Sequence, residues 1–304
     1  MKCKKTIILV VIIIAILAVL PFLPLLYVKA VREIPVDKSR LAMLNICAYQ
    51  DTPVWPLAKA VIDQDTLEIR RQVLDKHIPV DSREPLYSFN LLMIASAKEK
   101  PHSVRTLLSL GADPNVRDTI FNTTPLILAT GYHKNAELIK TLLDYGVDPN
   151  VDTHMTVDYR TLKDLVRQGM PLDNAVLKGS LPIVKLLVEA GVDLNILPND
   201  NMVGSWVNLA VAYGSPDIAL YFISLGLDYN VKFEYSNGSE SSILSLLRNN
   251  IFDLDSEEYK SKMKLVKFLQ SKGLDYWKEP IDEQTLKQIK HFHPDDWEEY
   301  IKKY

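Results

Sequence analysis

Gly111-Ala112-Asp113-Pro114-Asn115, Gly146-Val147-Asp148-Pro149-Asn150, Gly191-Val192-Asp193-Leu194-Asn195 and Gly226-Leu227-Asp228-Tyr229-Asn230 are four copies of one turn. Partial copies stand at His77 to Asp81 and at Gly273 to Asp275, and successive spacings are 34, 35, 45, 35 and 47 residues. A second signature, ending in alanine, lies 16 or 17 residues upstream of each of the first five turns. It is clear at Trp55 to Ala60, Thr124 to Ala129 and Met170 to Ala175, and worn at Asn90 to Ala95, Ser205 to Ala210 and Ser241 to Leu246. Two signatures held in one phase mark a supersecondary unit repeated along the chain.

The residue types suit those places. Proline at a helix start has no donor to waste and a φ near the helical value, so Pro56, Pro125 and Pro171 predict helix starts, with Thr124 as a cap. Glycine after an apolar run supplies the left-handed residue that ends a helix. His77 stands in for it in the first copy, a residue type that adopts positive φ more readily than most. The Asp and Asn that follow bond their own backbone and favour a tight turn. Between the signatures, Val104, Leu107 and Leu108, or Ile183, Val184, Leu186 and Leu187, recur at helical spacing and predict one buried face. Each unit therefore reads as helix, short turn, helix, extended loop.

Over roughly Trp55 to Tyr276 these residues resemble the ankyrin repeat, with its Thr-Pro-Leu-His-x-Ala and Gly-Ala-Asp-x-Asn patterns. The resemblance implies an all-α solenoid of about six helix-turn-helix units, and a binding function without cofactor or catalysis. No copy keeps the family histidine, whose place is taken by Ala58, Ile127 and Asp173. Weakened bridging between neighbouring units is the expectation. The long gap after Asn150 reads as an insertion, Asp152 to Gly169, carrying a short helix at Thr161 to Gln168. The acidic stretch Asp253 to Lys262 reads as an extended helix or loop. Residues 31–276 make the repeat domain, and residues 277–304 its cap, with amphipathic helices over Ile281 to Phe292 and Pro294 to Tyr304.

The amino-terminal 30 residues differ in kind. Thr6 to Val28 is a run without a charge, about 34 Å long as a helix and enough to cross a bilayer core. The expectation is an N-terminal transmembrane helix preceding the solenoid, so that residues 1–30 form a cytoplasmic leader and anchor; Val28-Lys29-Ala30 leaves a removed signal peptide as the alternative. Lys2, Lys4 and Lys5 outweigh Lys29 and Arg32, which by the positive-inside rule places the repeats outside the cytoplasm. The chain then reads as a single-pass protein of the inner membrane, periplasmic in a Gram-negative cell.

Composition excludes more than it selects. Four of the 35 basic residues lie in the first 30, leaving 31 against 38 acidic ones, a balance that argues against nucleic acid as a partner. Two cysteines, Cys3 and Cys47, allow no disulfide framework; Cys47 reads as a small buried hydrophobe. His291 and His293 lack further ligands for a metal. Nucleophile elbow, phosphate loop and zinc-helix motifs are missing, and a catalytic pocket would have to gather Asp173, His154 and Asp158; none is expected there.

Binding candidates follow from the resemblance, which puts a concave face on the first helices and extended loops. Two or three residues past the signature alanine stand Lys98, Tyr132, Lys178 and Tyr213; the loops carry Phe121, Tyr159, Tyr229, Phe233 and Tyr235. Tyrosine gives a large contact area with few rotors. Packing between neighbouring loops is the other reading of Phe121 and Phe233. The expected partner is a protein on the concave face. Resemblance to membrane-anchored bacterial chains suggests an immunity protein neutralising a secreted, basic toxin on an acidic and aromatic face; an envelope scaffold or regulatory protein without a single tight ligand is the alternative.

Overall fold

The computed structural model describes residues 37–38, 41–151, 170–198, 204–234 and 240–304. Six consecutive helix pairs carry the repeats: α1 (Trp55–Asp63) with α2 (Thr66–Arg70), α3 (Leu91–Ala97) with α4 (Pro101–Ser109), α5 (Pro125–Tyr132) with α6 (Ala136–Asp144), α7 (Pro171–Leu177) with α8 (Leu181–Glu189), α9 (Trp206–Ala212) with α10 (Pro216–Ser224), and α11 (Ile243–Arg248) with α12 (Glu257–Ser271). A π-helical stretch, Arg71–Asp75, prolongs α2. Two-residue strands β1 (Phe233–Glu234) and β2 (Glu240–Ser241) pair antiparallel in the loop before α11. Helices α13 (Glu283–Phe292) and α14 (Trp297–Lys303) follow.

The first helices stack as one row, α1 on α3 through to α11, and the second helices α2 to α12 as another. One continuous core fills the space between them, with Leu92, Leu107, Leu128, Leu142, Leu172, Leu187, Leu209 and Phe222 all buried. This is the all-α helical solenoid expected from the repeat period. Trp206 anchors the fourth-to-fifth interval, tilted against Phe222 with ring centroids 6.2 Å apart, and its indole N–H donates to the Ile196 carbonyl at 2.8 Å.

Local chemistry sets the boundaries. Asn90, Asn135, Ser205, Ser256 and Asp282 each cap a helix by accepting a backbone N–H three residues on. Pro101 and Pro216 open second helices where the missing donor costs nothing. At the far end Gly111 (φ 90°) donates to the Leu108 carbonyl, and Ala112 to that of Leu107. The same pair of bonds recurs at Gly146, Gly191, Gly226 and Gly273. A Cβ on any of these glycines would meet nothing within 4 Å, so positive φ alone selects the residue. His77 holds φ 55° there, as its residue type allows. The residue after the glycine is apolar throughout, because it folds back onto the helix it has just left; Ala112, Val147 and Val192 are buried.

The Asp and Asn of the turn divide their work. Each Asp accepts from the Asn two residues on, as in Asn115 N–H to Asp113 Oδ1 at 2.9 Å. The Asn side chain reaches the next repeat instead. Asn115 donates to the Gly146 carbonyl at 3.1 Å and accepts from Asp148 N–H at 2.9 Å. Asn150 does the same to Gly191 at 3.3 Å and Asp193 at 2.7 Å. Asp81 takes this role for the first turn, accepting from Asp113 N–H at 3.1 Å. Among the described residues the rungs stop at Asn195, whose amide donates back to Asp193 at 2.8 Å.

Several expectations need correction or lie elsewhere. The anchor assigned to residues 6–28 falls outside the described residues, and among those described no helix is long and apolar enough to cross a membrane. The longest, α12, would reach roughly 22 Å against a hydrocarbon core of about 30 Å. The single-pass inner-membrane assignment, the periplasmic placement and the membrane-anchored bacterial type thus have no helix among the described residues to support them. Asp152 to Gly169, with its expected helix, also falls outside the described residues. The stretch Asp253 to Lys262 resolves into a loop and the first turns of α12, begun at the cap Ser256.

Candidate functional site

Four of the expected contact residues occupy one structural position. Lys98, Lys178 and Tyr213 are the C-cap residues of α3, α7 and α9, and Tyr132 is the last residue of α5. Each stands three residues past the signature alanine, so the stacking of α3, α5, α7 and α9 lines them up. Read along the array, the row is Lys, Tyr, Lys, Tyr. Tyr132 and Tyr213 are both 37% exposed, Lys98 is exposed, and Lys178 is half-buried.

The turns between first and second helices shape the ground beside this row. A cleft of about 290 Å³ opens there, lined by Lys134, Lys178, Tyr213, Asp217, Glu257 and Glu258 among others. Gly179 (φ 64°) and Gly214 (φ 70°) turn the chain at its floor. A side chain at Gly179 would come within 2.9 Å of Ser215 Oγ, so this glycine is fixed by close approach as well as by φ. On the opposite wall the first turn of α12 presents Glu257, paired with Lys260 at 2.7 Å, and Glu258. The cleft lining thus holds two lysines, from the third and fourth units, and three carboxylates, from the fifth and sixth.

Neighbouring repeats are stapled along this edge. His133 places Nε2 2.7 Å from the Ala97 carbonyl of the preceding unit and Nδ1 3.3 Å from Glu99, while Asn135 donates to the same carboxylate at 2.7 Å. Loss of the family histidine therefore does not leave the units unbridged, since an imidazole from a different position supplies the link. Asn174 donates to Thr130 at 3.4 Å and Ser103 to the Val61 carbonyl at 2.6 Å within the core.

The remaining candidates separate from the row. Phe121 is buried and stacked on Phe89, centroids 6.2 Å apart, and is not open to a partner. Tyr229 is half-buried with its ring edge-on to Phe268 at 5.3 Å. Tyr159 and Tyr235 lie outside the described residues, as do His154 and Asp158. Asp173 accepts from Met170 N–H at 2.9 Å and serves as a helix-start residue. Cys47 is half-buried, more open than the core position expected for it.

Sequence reasoning missed the loops that hold Phe121 in place. Asp118 accepts backbone N–H bonds from Ile120, Phe121 and Thr123 at 2.5 to 2.9 Å, and Glu84 accepts from Leu86, Tyr87 and Phe89 at 2.6 to 3.1 Å. Arg117 and Arg83 donate to the carbonyls of Asn122 and Ser88 across the same loops. The signal was present: Arg83-Glu84 and Arg117-Asp118 are an arginine-acid pair repeated at one repeat's spacing. Lys134 and Glu258 carried no such signal, because their meeting in a cleft depends on the stacking angle.

Residues 92–197 match the ankyrin-repeat family, in three copies. Over 57 residues the chain is 46% identical to protein phosphatase 1 regulatory subunit 27 of Homo sapiens and, to the same degree, to that of Mus musculus. Those matches cover 19% of this chain and 36% of each relative, so the chain spans about a third of the length of the curated relatives it matches. Ankyrin repeats are scaffold and interaction modules, the kind that residues 92–197 match. Among the described residues no group of three or more His, Cys, Asp or Glu could hold a metal ion. The expected role as an immunity protein against a basic toxin is corrected by the same findings. The matches are to ankyrin repeats and to a subunit named for phosphatase regulation, and neither points to an immunity role.

Proposed function

We propose that this chain is a non-catalytic protein-binding module whose partner lies along the exposed ends of the first helices, on the row Lys98, Tyr132, Lys178 and Tyr213 and in the cleft beside it. In this reading residues 31–276 form the binding array and residues 277–304 close its end. The observation that carries it is the repetition of two partner-seeking residue types at one position in four successive units, with the last two opening onto the cleft. Core packing does not need a tyrosine or lysine there. The regulatory subunits to which the chain is similar are consistent with a role exerted through binding.

A photo-crosslinking residue placed at Tyr213 of the full chain should trap one discrete partner. The same residue at Tyr145, which is 41% exposed at the end of the second helix α6, should not trap it. Equal trapping at both positions, or at neither, overturns the reading.

A further inference from the structure

The row has a pitch, and the pitch selects a conformation. First helices packed side by side stand about 8–10 Å apart, so equivalent residues on successive repeats are offset by roughly that distance. A β-strand places alternate residues on one face about 6.6 Å apart, which slips out of phase with the row within two repeats. A polyproline II segment has three residues per turn and about 3.1 Å rise, so every third residue faces the same way at about 9.3 Å spacing. That spacing fits the repeats, and aromatic rings are suited to docking such a helix because it arrives already ordered.

The chemistry of the row then sets the sequence it reads. Lys98 and Lys178 call for carboxylates six residues apart, and Tyr132 and Tyr213 for apolar or proline side chains midway between and beyond them. Exposed Lys134 adds positive charge beside the same track. At its far end the sign reverses at Asp217 and Glu258, which line the same cleft as Tyr213. In a chain of net charge −3, the row and its edge gather Lys98, Lys134 and Lys178, with one carboxylate, Glu99, held by His133 and Asn135, and turn acidic at Asp217, Glu257 and Glu258.

We propose that the Lys98–Tyr132–Lys178–Tyr213 row binds an acidic, proline-rich segment of a partner protein in the polyproline II conformation, read in steps of three residues and polarised by a basic residue that faces Glu258. This rests on the binding face assigned above and adds the class of partner, its register and its direction.

The test uses the full chain and a fluorescent peptide of about 13 residues, with Glu at the first and seventh positions, Leu at the fourth and tenth, Lys at the thirteenth and proline elsewhere. A second peptide of the same composition has its Leu and Glu moved by one position. The in-register peptide should bind at least about tenfold more tightly than the shifted one. Lys178→Glu should weaken it by about tenfold, and a peptide with Lys in place of its seventh-position Glu should recover that loss on the variant alone. Lys98→Glu provides the same reading at an exposed position where folding is not at stake. Equal binding of the two peptides, or indifference to both charge reversals, overturns the proposal. If the partner trapped at Tyr213 is not displaced by the in-register peptide, the acidic-segment inference fails while the binding face stands; if nothing is trapped at Tyr213, both fail.

Discussion

The central repeats and the carboxy-terminal end of the array solve the same problem by opposite means. From Asp81 to Asp193 successive units are joined by exposed side-chain rungs of a single type, Asp or Asn to the next turn. Among the described residues beyond Asn195 the rungs cease, and the last units are held by two buried basic side chains. Arg248, 5% exposed, donates to the carbonyls of Glu279, Tyr304 and Trp277 and stacks at 4.0 Å over the Tyr276 ring. Tyr304 in turn donates its hydroxyl to the Arg248 carbonyl. Lys262, fully buried, donates to the Asn250 carbonyl at 3.0 Å with its Nζ 3.6 Å from the Tyr304 ring centre. Repetition permits cheap, interchangeable joints, whereas the end of an array meets no further copy of itself and needs contacts made only once.

Removing the arginine should separate the two regions most sharply. Arg248→Ala leaves three carbonyls without their donor and should cost about 3–5 kcal/mol, confined to the end of the array. Hydrogen exchange would show residues 277–304 losing protection while α3 to α8 keep theirs; uniform loss would mean that the end is not a separate unit.

Lys262 gives the next largest effect, through pH. Burial first, and the nearby Arg248 charge second, lower its amine from the ordinary 10.5 to about 6. Between those two values unfolding takes up a proton, so stability rises with pH across the window by about 1.4 kcal/mol per unit. It is lost on acidification toward 6, below which the folded amine is also protonated and the slope ends. Lys262→Met should flatten this slope in denaturation curves taken at pH 6.5 and 8.5, and raise stability most at the lower pH. An unchanged slope would place the titration elsewhere.

Smaller effects test the rungs. Asn150→Ala removes two bonds to the next repeat and should cost about 1–2 kcal/mol. Asn195→Ala removes only one bond, within its own turn, and should cost about half of that or less, measured in the same urea titration. Equal costs would show that the bridge to the neighbour contributes nothing.

Local signals made the repeats legible. Glycine at positive φ, proline at helix starts, and the apolar stripes of α4 and α8 act within one unit and leave a residue-level trace. The turn asparagine was read only in part: its bond to its own turn follows from local chemistry, but its bond to the next repeat requires the stack. Arg248 and Lys262 escaped for a related reason. Lys262 lies on the stripe of Leu265, Val266 and Leu269 at helical spacing, a hint that it points inward, yet only the fold brings Tyr276 and Tyr304 to receive it. Among the candidate residues, a fixed offset from the signature alanine put Lys98, Tyr132, Lys178 and Tyr213 at one structural position. Loop position alone did not separate buried Phe121 from an open aromatic.

Asn150 joins a glycine 41 residues onward, where Asn115 joins one only 31 onward, and the two joints have the same form. Register in this protein is thus decoupled from chain length. Lengthening the chain between two fixed joints costs only about 0.6 kcal/mol per doubling, so the interval from Asn150 to Gly191 is a natural port for foreign sequence. A peptide or small domain grafted there would be displayed beside the array while the stacking on either side goes on as before.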